Sequence, residues 1–152
     1  MKKIAWVPDN LVLASASYDN TIKFWAQKDD DWECIDTIAG HSSTVWCIDF
    51  TKDGKFLASV SDDMKTKIWR KNEEFEDKDF YNHISTLEGY HDRPIYSCSW
   101  NFDGTLLATV RFVLVKCMNM FRLEVMIRFV CLVKLNLIME TWFHLLVYMR
   151  KK

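Results

Sequence analysis

The sequence predicts an all-β fold, a β-propeller fragment of about two and a half antiparallel blades. Three observations carry this. Residues 11–25, LVLASASYDNTIKFW, recur as 55–69, KFLASVSDDMKTKIW, so that Ser15, Ser17, Asp19, Lys23 and Trp25 meet Ser59, Ser61, Asp63, Lys67 and Trp69, each 44 residues on. A third copy starts at Thr105 with TLLAT and then stops. Gly-His, or its variant Gly89-Tyr90-His91, stands before the second and third units. A period in the low forties with short strands marks propeller blades, and a single blade cannot bury both of its own faces.

The elements follow in order. The first blade is expected to hold strands at Ile4–Val7, Leu11–Ser17, Thr21–Ala26 and Trp32–Ile38. Its turns, Pro8-Asp9-Asn10, Tyr18-Asp19-Asn20 and Lys28–Asp31, are rich in residues that favour tight reversals. The second blade is expected at Thr44–Phe50, Phe56–Ser61, Thr66–Arg70 and Tyr81–Leu87, with a hairpin signal at Thr51-Lys52-Asp53-Gly54. The third begins with Ile95–Trp100, turns at Asp103-Gly104 and enters Leu106–Val110. No Gly-His stands before the first blade, so further sequence is expected upstream.

After Val110 the grammar changes, which divides the chain into blades at 1–110 and a tail at 111–152. The tail lacks Gly, Pro, Ala, Ser, Asp and Gln, and 24 of its 42 residues are Phe, Leu, Ile, Met or Val, whose codons share a middle U. That is a nucleotide bias, as expected of a shifted reading frame or a translated intron. A membrane anchor is disfavoured, because the longest uncharged run is Thr141–Met149, against ~18 or more residues for a spanning helix. The alternative is an amphipathic helix, interfacial or packed on the blades, although Arg111, Arg122, Arg128 and Lys134 do not keep to one stripe.

Charge follows the same division. Residues 1–110 carry 12 Lys+Arg and 19 Asp+Glu, a net of −7, whereas 111–152 carry 8 and 2, a net of +6. The acidic blades disfavour nucleic acid. The runs Lys28–Asp31 and Lys71–Asp79 take the same place in successive blades, which suits solvated loops on one face or electrostatic steering of a basic partner. Five cysteines, Cys34, Cys47, Cys98, Cys117 and Cys131, form no C-x-x-C pair, and MKKIAWVPDN is not a signal peptide. These features fit a reducing cytosolic or nuclear compartment, with the cysteines as small buried hydrophobes. His83 and His144 have no partner at metal-ligand spacing, so no metal or other cofactor is expected.

The units resemble WD40 repeats through Gly40-His41 leading to Trp69. SYDNTIKFW, SDDMKTKIW and above all Asp29-Asp30-Asp31-Trp32-Glu33-Cys34, followed by Gly40-His41 and Thr44-Val45-Trp46, are similar to the WD-repeat subunit of the cytosolic iron–sulfur protein assembly machinery, the Ciao family of animals and Cia of yeast. The resemblance covers residues 4–110, about the middle of that family's chain. It implies a closed propeller of about seven blades. It also implies a non-enzymatic scaffold within the targeting complex that supports iron–sulfur cluster insertion into cytosolic and nuclear apoproteins. The implied partners are the other subunits of that complex and, through them, the apoproteins. More than half of the propeller is then absent, so this chain is expected to be a piece of the functional parent. The alternative is a WD-repeat interaction platform in an unrelated assembly for ubiquitin ligation or signalling.

His41, Ser59 and Asp63 also invite a hydrolase reading. In WD-repeat blades these positions instead form a structural network with the strand-end Trp69. Ser15, Asp19 and Trp25 repeat it in the first blade, and His91 and Thr109 begin it in the third. An active site is not normally repeated in each blade, and a fully satisfied buried network holds loops to a sheet.

If the tail is out of frame, the transcript read in another frame just after the codon for Thr109 or Val110 is expected to spell a short strand, an Asp-containing turn and a strand ending in Trp or Phe. Genomic sequencing tests this. A locus with no frame or downstream exon encoding further blades would make the tail an element in its own right.

Overall fold

A computed structural model describes residues 1–8, 10–72, 80–114, 126–135 and 145–148. Among the described residues, twelve strands form three four-stranded antiparallel sheets, each a simple meander. The first sheet runs β1 (Lys3–Trp6), β2 (Val12–Ala16), β3 (Thr21–Lys28) and β4 (Asp31–Ala39). The second runs β5 (Val45–Phe50), β6 (Phe56–Ser61), β7 (Thr66–Lys71) and β8 (Tyr81–Leu87). The third runs β9 (Ile95–Trp100), β10 (Leu106–Leu114), β11 (Met126–Leu135) and β12 (Leu145–Tyr148). The all-β blades expected from the repeat are therefore present.

The 44-residue repeat extends to backbone detail. Trp25 pairs with Leu13 and Trp69 with Leu57, and the register slips just before each tryptophan. Asn20 and Met64, the residues after the repeated aspartates, both have positive φ, 69° and 63°. Asn tolerates this left-handed conformation, whereas Met is strained in it. The turn after β5 is closed by side chains: Thr51 Oγ1 donates to Asp53 Oδ1 (2.7 Å), and the Phe56 amide donates to Thr51 Oγ1 (3.0 Å). Gly54 ends this turn at φ +66°, and an added Cβ would also lie 3.3 Å from the Pro8 carbonyl oxygen.

The sheets stack face to face, with β5 against β1 and β2, and β9 against β5 and β6. Alternation along each strand sends every second side chain to one neighbour and the rest to the other. Between the first and second sheets, Ala14, Ala16, Ile22 and Phe24 meet Ile48, Phe50, Leu57 and Trp69. Between the second and third, Ala58, Val60 and Ile68 meet Ile95, Cys98 and Leu107. Phe24 stacks on Tyr81 at 5.4 Å and 9°, and the Tyr81 hydroxyl donates to the Gly54 carbonyl (2.5 Å).

Two expectations need correction. The described residues of the tail are strands, not helix: β11 pairs with β10 from Leu106↔Lys134 to Leu114↔Met126, and β12 pairs with β11. An open strand edge offers unpaired backbone groups, and a segment rich in Val, Ile, Leu and Phe completes it without needing turn formers inside the strand. β11 and β12 thus follow the two strands of the third sheet that the repeat marks. Cys34 is exposed, because β4 is an outer edge strand, while Cys47 and Cys98 are buried. Most of the second acidic run, 73–79, lies outside the described residues, as does Asp9.

Candidate functional site

The Gly40-His41 loop places His41 between the second strand of its blade and the turn that follows. His41 Nδ1 lies 2.9 Å from Asp63 Oδ2, and His41 Nε2 lies 2.8 Å from Ser59 Oγ. Trp69 Nε1–H donates to the same Ser59 oxygen (2.8 Å). With the imidazole proton on Nδ1, Ser59 donates to Nε2 and every member is satisfied. The second carboxylate oxygen of Asp63 accepts from the Lys65 amide (3.0 Å), Oδ2 also accepts from the Ser42 amide (3.1 Å), and the Asp63 amide donates to Ser61 Oγ (3.1 Å). Ser61 Oγ in turn donates to the Ser43 carbonyl (3.0 Å). One aspartate thus clamps the entering loop onto the turn between β6 and β7. Gly40 is required for this approach, since an added Cβ would lie 2.8 Å from Trp69 Cη2.

The Ser–His–Asp order matches that of a hydrolytic triad, but the environment does not suit attack on a substrate. Ser59 is wholly buried (0% exposed), and its oxygen is occupied by the indole N–H. Burial is the largest influence on His41 and moves its pKa below 6.5, against the opposing pull of Asp63. Burial would raise Asp63, yet the His41 hydrogen bond and charge together with the Ser42 and Lys65 amides hold it below its ordinary 3.8.

The other blades carry parts of this arrangement. In the first, Trp25 Nε1–H donates to Ser15 Oγ (2.9 Å), and Asp19 Oδ1 accepts from the Thr21 amide (3.1 Å) and hydroxyl (2.6 Å). Among the described residues no histidine joins them. In the third, His91 Nε2 lies 2.8 Å from Thr109 Oγ1, while His91 Nδ1 is buried with no partner among the described residues. Val113 stands where the second blade has Asp63, and Asp92 forms an ion pair with Arg111 instead.

The hairpin between β3 and β4 turns on Asp29-Asp30, with Lys28 opposite Asp31 and Asp29 at φ 54°. Asp31 Oδ1 accepts from the Trp32 amide (2.8 Å), and Lys28 Nζ lies 3.4 Å from Glu33 Oε2. The Trp32 ring sits 5.9 Å from Trp6, and the Cys34 thiol contacts the Asp36 carbonyl (3.4 Å). Asp31 to Ile35 are all exposed, so the hairpin forms a surface ridge.

Sequence reasoning missed three features. Asp36 Oδ2 accepts from the Phe80 amide (2.8 Å), which ties the first sheet to the second. Asp49 Oδ2 accepts from the Trp100 amide (2.7 Å) and ties the second to the third. Trp46 stands 6.0 Å from Tyr18 and 5.0 Å from Tyr96, with the Lys2 ammonium over both Tyr18 and Trp46. The same repeat could have flagged this last group, because Lys2 and Trp46 are themselves 44 residues apart. Among the described residues there is no cluster of His, Cys, Asp or Glu able to hold a metal. No helix of the described residues is long and apolar enough to cross a membrane.

A meander blade with a Gly-His entry and a strand-end tryptophan defines a repeat-built propeller class. The family model "WD domain, G-beta repeat" matches residues 2–26, 32–70 and 81–111, and the chain belongs to this WD40 family. Within it, the chain is 41% identical over 110 residues to "Probable cytosolic iron-sulfur protein assembly protein CIAO1 homolog" of Ixodes scapularis, covering 72% of this chain and 34% of that protein. It is 44% identical over 99 residues to "Probable cytosolic iron-sulfur protein assembly protein Ciao1" of Aedes aegypti, covering 59% and 29%. A "Probable cytosolic Fe-S cluster assembly factor" of Schizosaccharomyces japonicus is 40% identical over 74 residues, covering 48% and 12%. The chain spans about a third or less of the length of these curated relatives.

Two predictions follow from the clamp. Asp63→Ala strands a buried imidazole and an amide, and is expected to lower stability by about 1–3 kcal/mol. A urea midpoint unchanged within error would show that the clamp contributes nothing. The pH dependence has a defined sign. Burial lowers His41, His83 and His91 below 6.5 in the fold, so the unfolded chain takes up protons first. Stability from these groups is complete above the unfolded value and declines as pH falls below it; the Asp63 contribution is lost only in stronger acid, below its ordinary 3.8. The urea midpoint is therefore expected to be lower at about pH 5.5 than at about pH 7.5, and a rise on acidification would contradict it.

Proposed function

We propose that this chain contributes blades to a non-enzymatic WD-repeat scaffold of cytosolic iron–sulfur protein assembly. In this reading the complete propeller belongs to the targeting complex and, through its other subunits, supports cluster insertion into cytosolic and nuclear apoproteins. The observation that carries the reading is the 40–44% identity across the blades to proteins whose names state that role. The exposed ridge from Asp29 to Cys34 adds to it, as a surface feature that the shared blade architecture does not require. In this reading the protein works in the cytosol and also in the nucleus.

The His41, Ser59, Asp63 and Trp69 set is read as structural, together with Ser15, Asp19 and Trp25 in the first blade and His91 and Thr109 in the third. The closure of Ser59 to solvent supports this over nucleophilic catalysis. Residues 1–110 are read as the blades and 111–152 as a segment of different origin, supported by the family match ending at residue 111 and by the reversal of charge.

Affinity capture of the protein from its own cells is expected to recover the other subunits of the iron–sulfur targeting complex. Their consistent absence would overturn the assignment. Recovery of ubiquitin-ligase or signalling subunits in their place would move the protein to a different WD-repeat assembly.

A further inference from the structure

Two of the five cysteines meet inside the stack. Cys47 on β5 and Cys98 on β9 belong to the apolar cluster between the second and third sheets, at 7 and 6% exposure. Cys47 Sγ lies 3.9 Å from the Cys98 carbonyl oxygen, and Cys98 Sγ lies 3.9 Å from the Ala58 carbonyl oxygen. Two residues further along, Asp49 fixes the same two strands. Its carboxylate accepts from the Trp100 amide (2.7 Å) and its carbonyl from the Trp100 indole N–H (3.2 Å). Stacking does not require thiols at this spot. The repeat puts Lys3 and Ile48 at the matching places between the first and second sheets, 44 residues before Cys47 and 50 before Cys98. The pair lies between two sheets of this chain, so it owes nothing to the faces at either end of the stack.

The two thiols differ in their hold on the proton. A hydrogen bond from the Cys98 thiol brings Cys47 down to about 6, against the opposing effect of burial. The same contact, together with burial, pushes Cys98 up. Reactive dithiols combine a ready thiolate with a second, resolving thiol in this way. We propose that Cys47 and Cys98 form an oxidation site, which hydrogen peroxide converts into a disulfide between neighbouring blades. The Cys47 thiolate attacks one peroxide oxygen. An S–O bond forms, the O–O bond breaks, and the departing hydroxide takes a proton from solvent. Cys98 sulfur then attacks the sulfenic sulfur of Cys47. The S–S bond forms, the S–O bond breaks, and the second hydroxide leaves as water with the Cys98 proton. Two electrons pass from the sulfurs to one peroxide, which becomes two waters. The link fastens β5 to β9, strands of different sheets that share no backbone ladder.

The test treats the full chain with hydrogen peroxide at neutral pH, blocks the remaining thiols and maps the bonds by mass spectrometry without reduction. Cleavage before aspartate separates the cysteines: Cys34 falls in 31–35, Cys47 in 36–48 and Cys98 in 92–102. The expected product is 36–48 joined to 92–102, with the exposed Cys34 left outside the link. The oxidised chain is expected to have a higher urea midpoint than the reduced one, and dithiothreitol should reverse both changes. Cys98→Ala should abolish the link and the rise in midpoint. Circular dichroism checks its folding, and Cys47→Ala replaces it if it unfolds. Recovery of Cys47 and Cys98 as blocked free thiols overturns the proposal. So does Cys47 joined to Cys34 or to the peptide from residue 103 onward, or Cys47 driven to sulfinic acid without a link. A link that forms equally well in urea overturns it, because the fold would then play no part. A linked chain whose midpoint does not rise overturns the fastening of the two blades.

Discussion

A blade of four strands has two broad faces, and in this sequence both are apolar. Burial of one face leaves the other in water, so no sheet here reaches a stable state without a neighbour. The arrangement follows from that constraint. Small residues, Ala14 and Ala16 or Ala58 and Val60, occupy one face of the second strand so that the next sheet can approach. Large ones, Leu57 and Trp69, fill the other. The alternation of a strand converts a single repeat into two complementary surfaces, and stacking follows without any long-range pairing between blades.

The polar clamp has meaning only within that packing. An indole ring as wide as Trp69 would leave its N–H orphaned in the core unless an acceptor lay behind it, and Ser59 supplies one. The Ser59 hydroxyl then needs an acceptor for its own proton, which His41 provides, and His41 needs one for Nδ1–H, which Asp63 provides. The chain of requirements runs from the core outward to the loop. It explains why the same residue types that perform nucleophilic chemistry elsewhere sit here at hydrogen-bonding distance in a place closed to solvent. Ser59 is covered by the very ring whose N–H it accepts.

Much of this was legible before the structure, for a physical reason. A repeat at fixed offset marks the strands of both copies at once, so β6 was read to the residue and β2 to within one residue at each end, while β3 and β4 extend further toward their acidic turn than the composition of Lys28–Asp31 suggested. The grouping of His41, Ser59, Asp63 and Trp69 was readable because short-range elements deliver all four. The Asp36 to Phe80 and Asp49 to Trp100 bonds were not, because each depends on how one sheet lies over another, and no local pattern encodes that. Cys34 was misread as buried from residue type alone, when its position on an edge strand decided the matter.

The third sheet separates what backbone and side chains each specify. Strand pairing is a backbone property, and β10 offers a free row of donors and acceptors to any segment able to lie extended beside it. The 126–135 segment does so along nine registered pairs, although it contains none of the repeat's landmarks. The side-chain clamp is more demanding. His91 finds Thr109 but no carboxylate for Nδ1, which stays buried and without a partner among the described residues, while the nearby Asp92 is engaged by Arg111. A sheet can thus be completed by a segment without the repeat's landmarks, whereas the network needs particular residues. Of the four network positions, the first sheet fills three, the second all four and the third two.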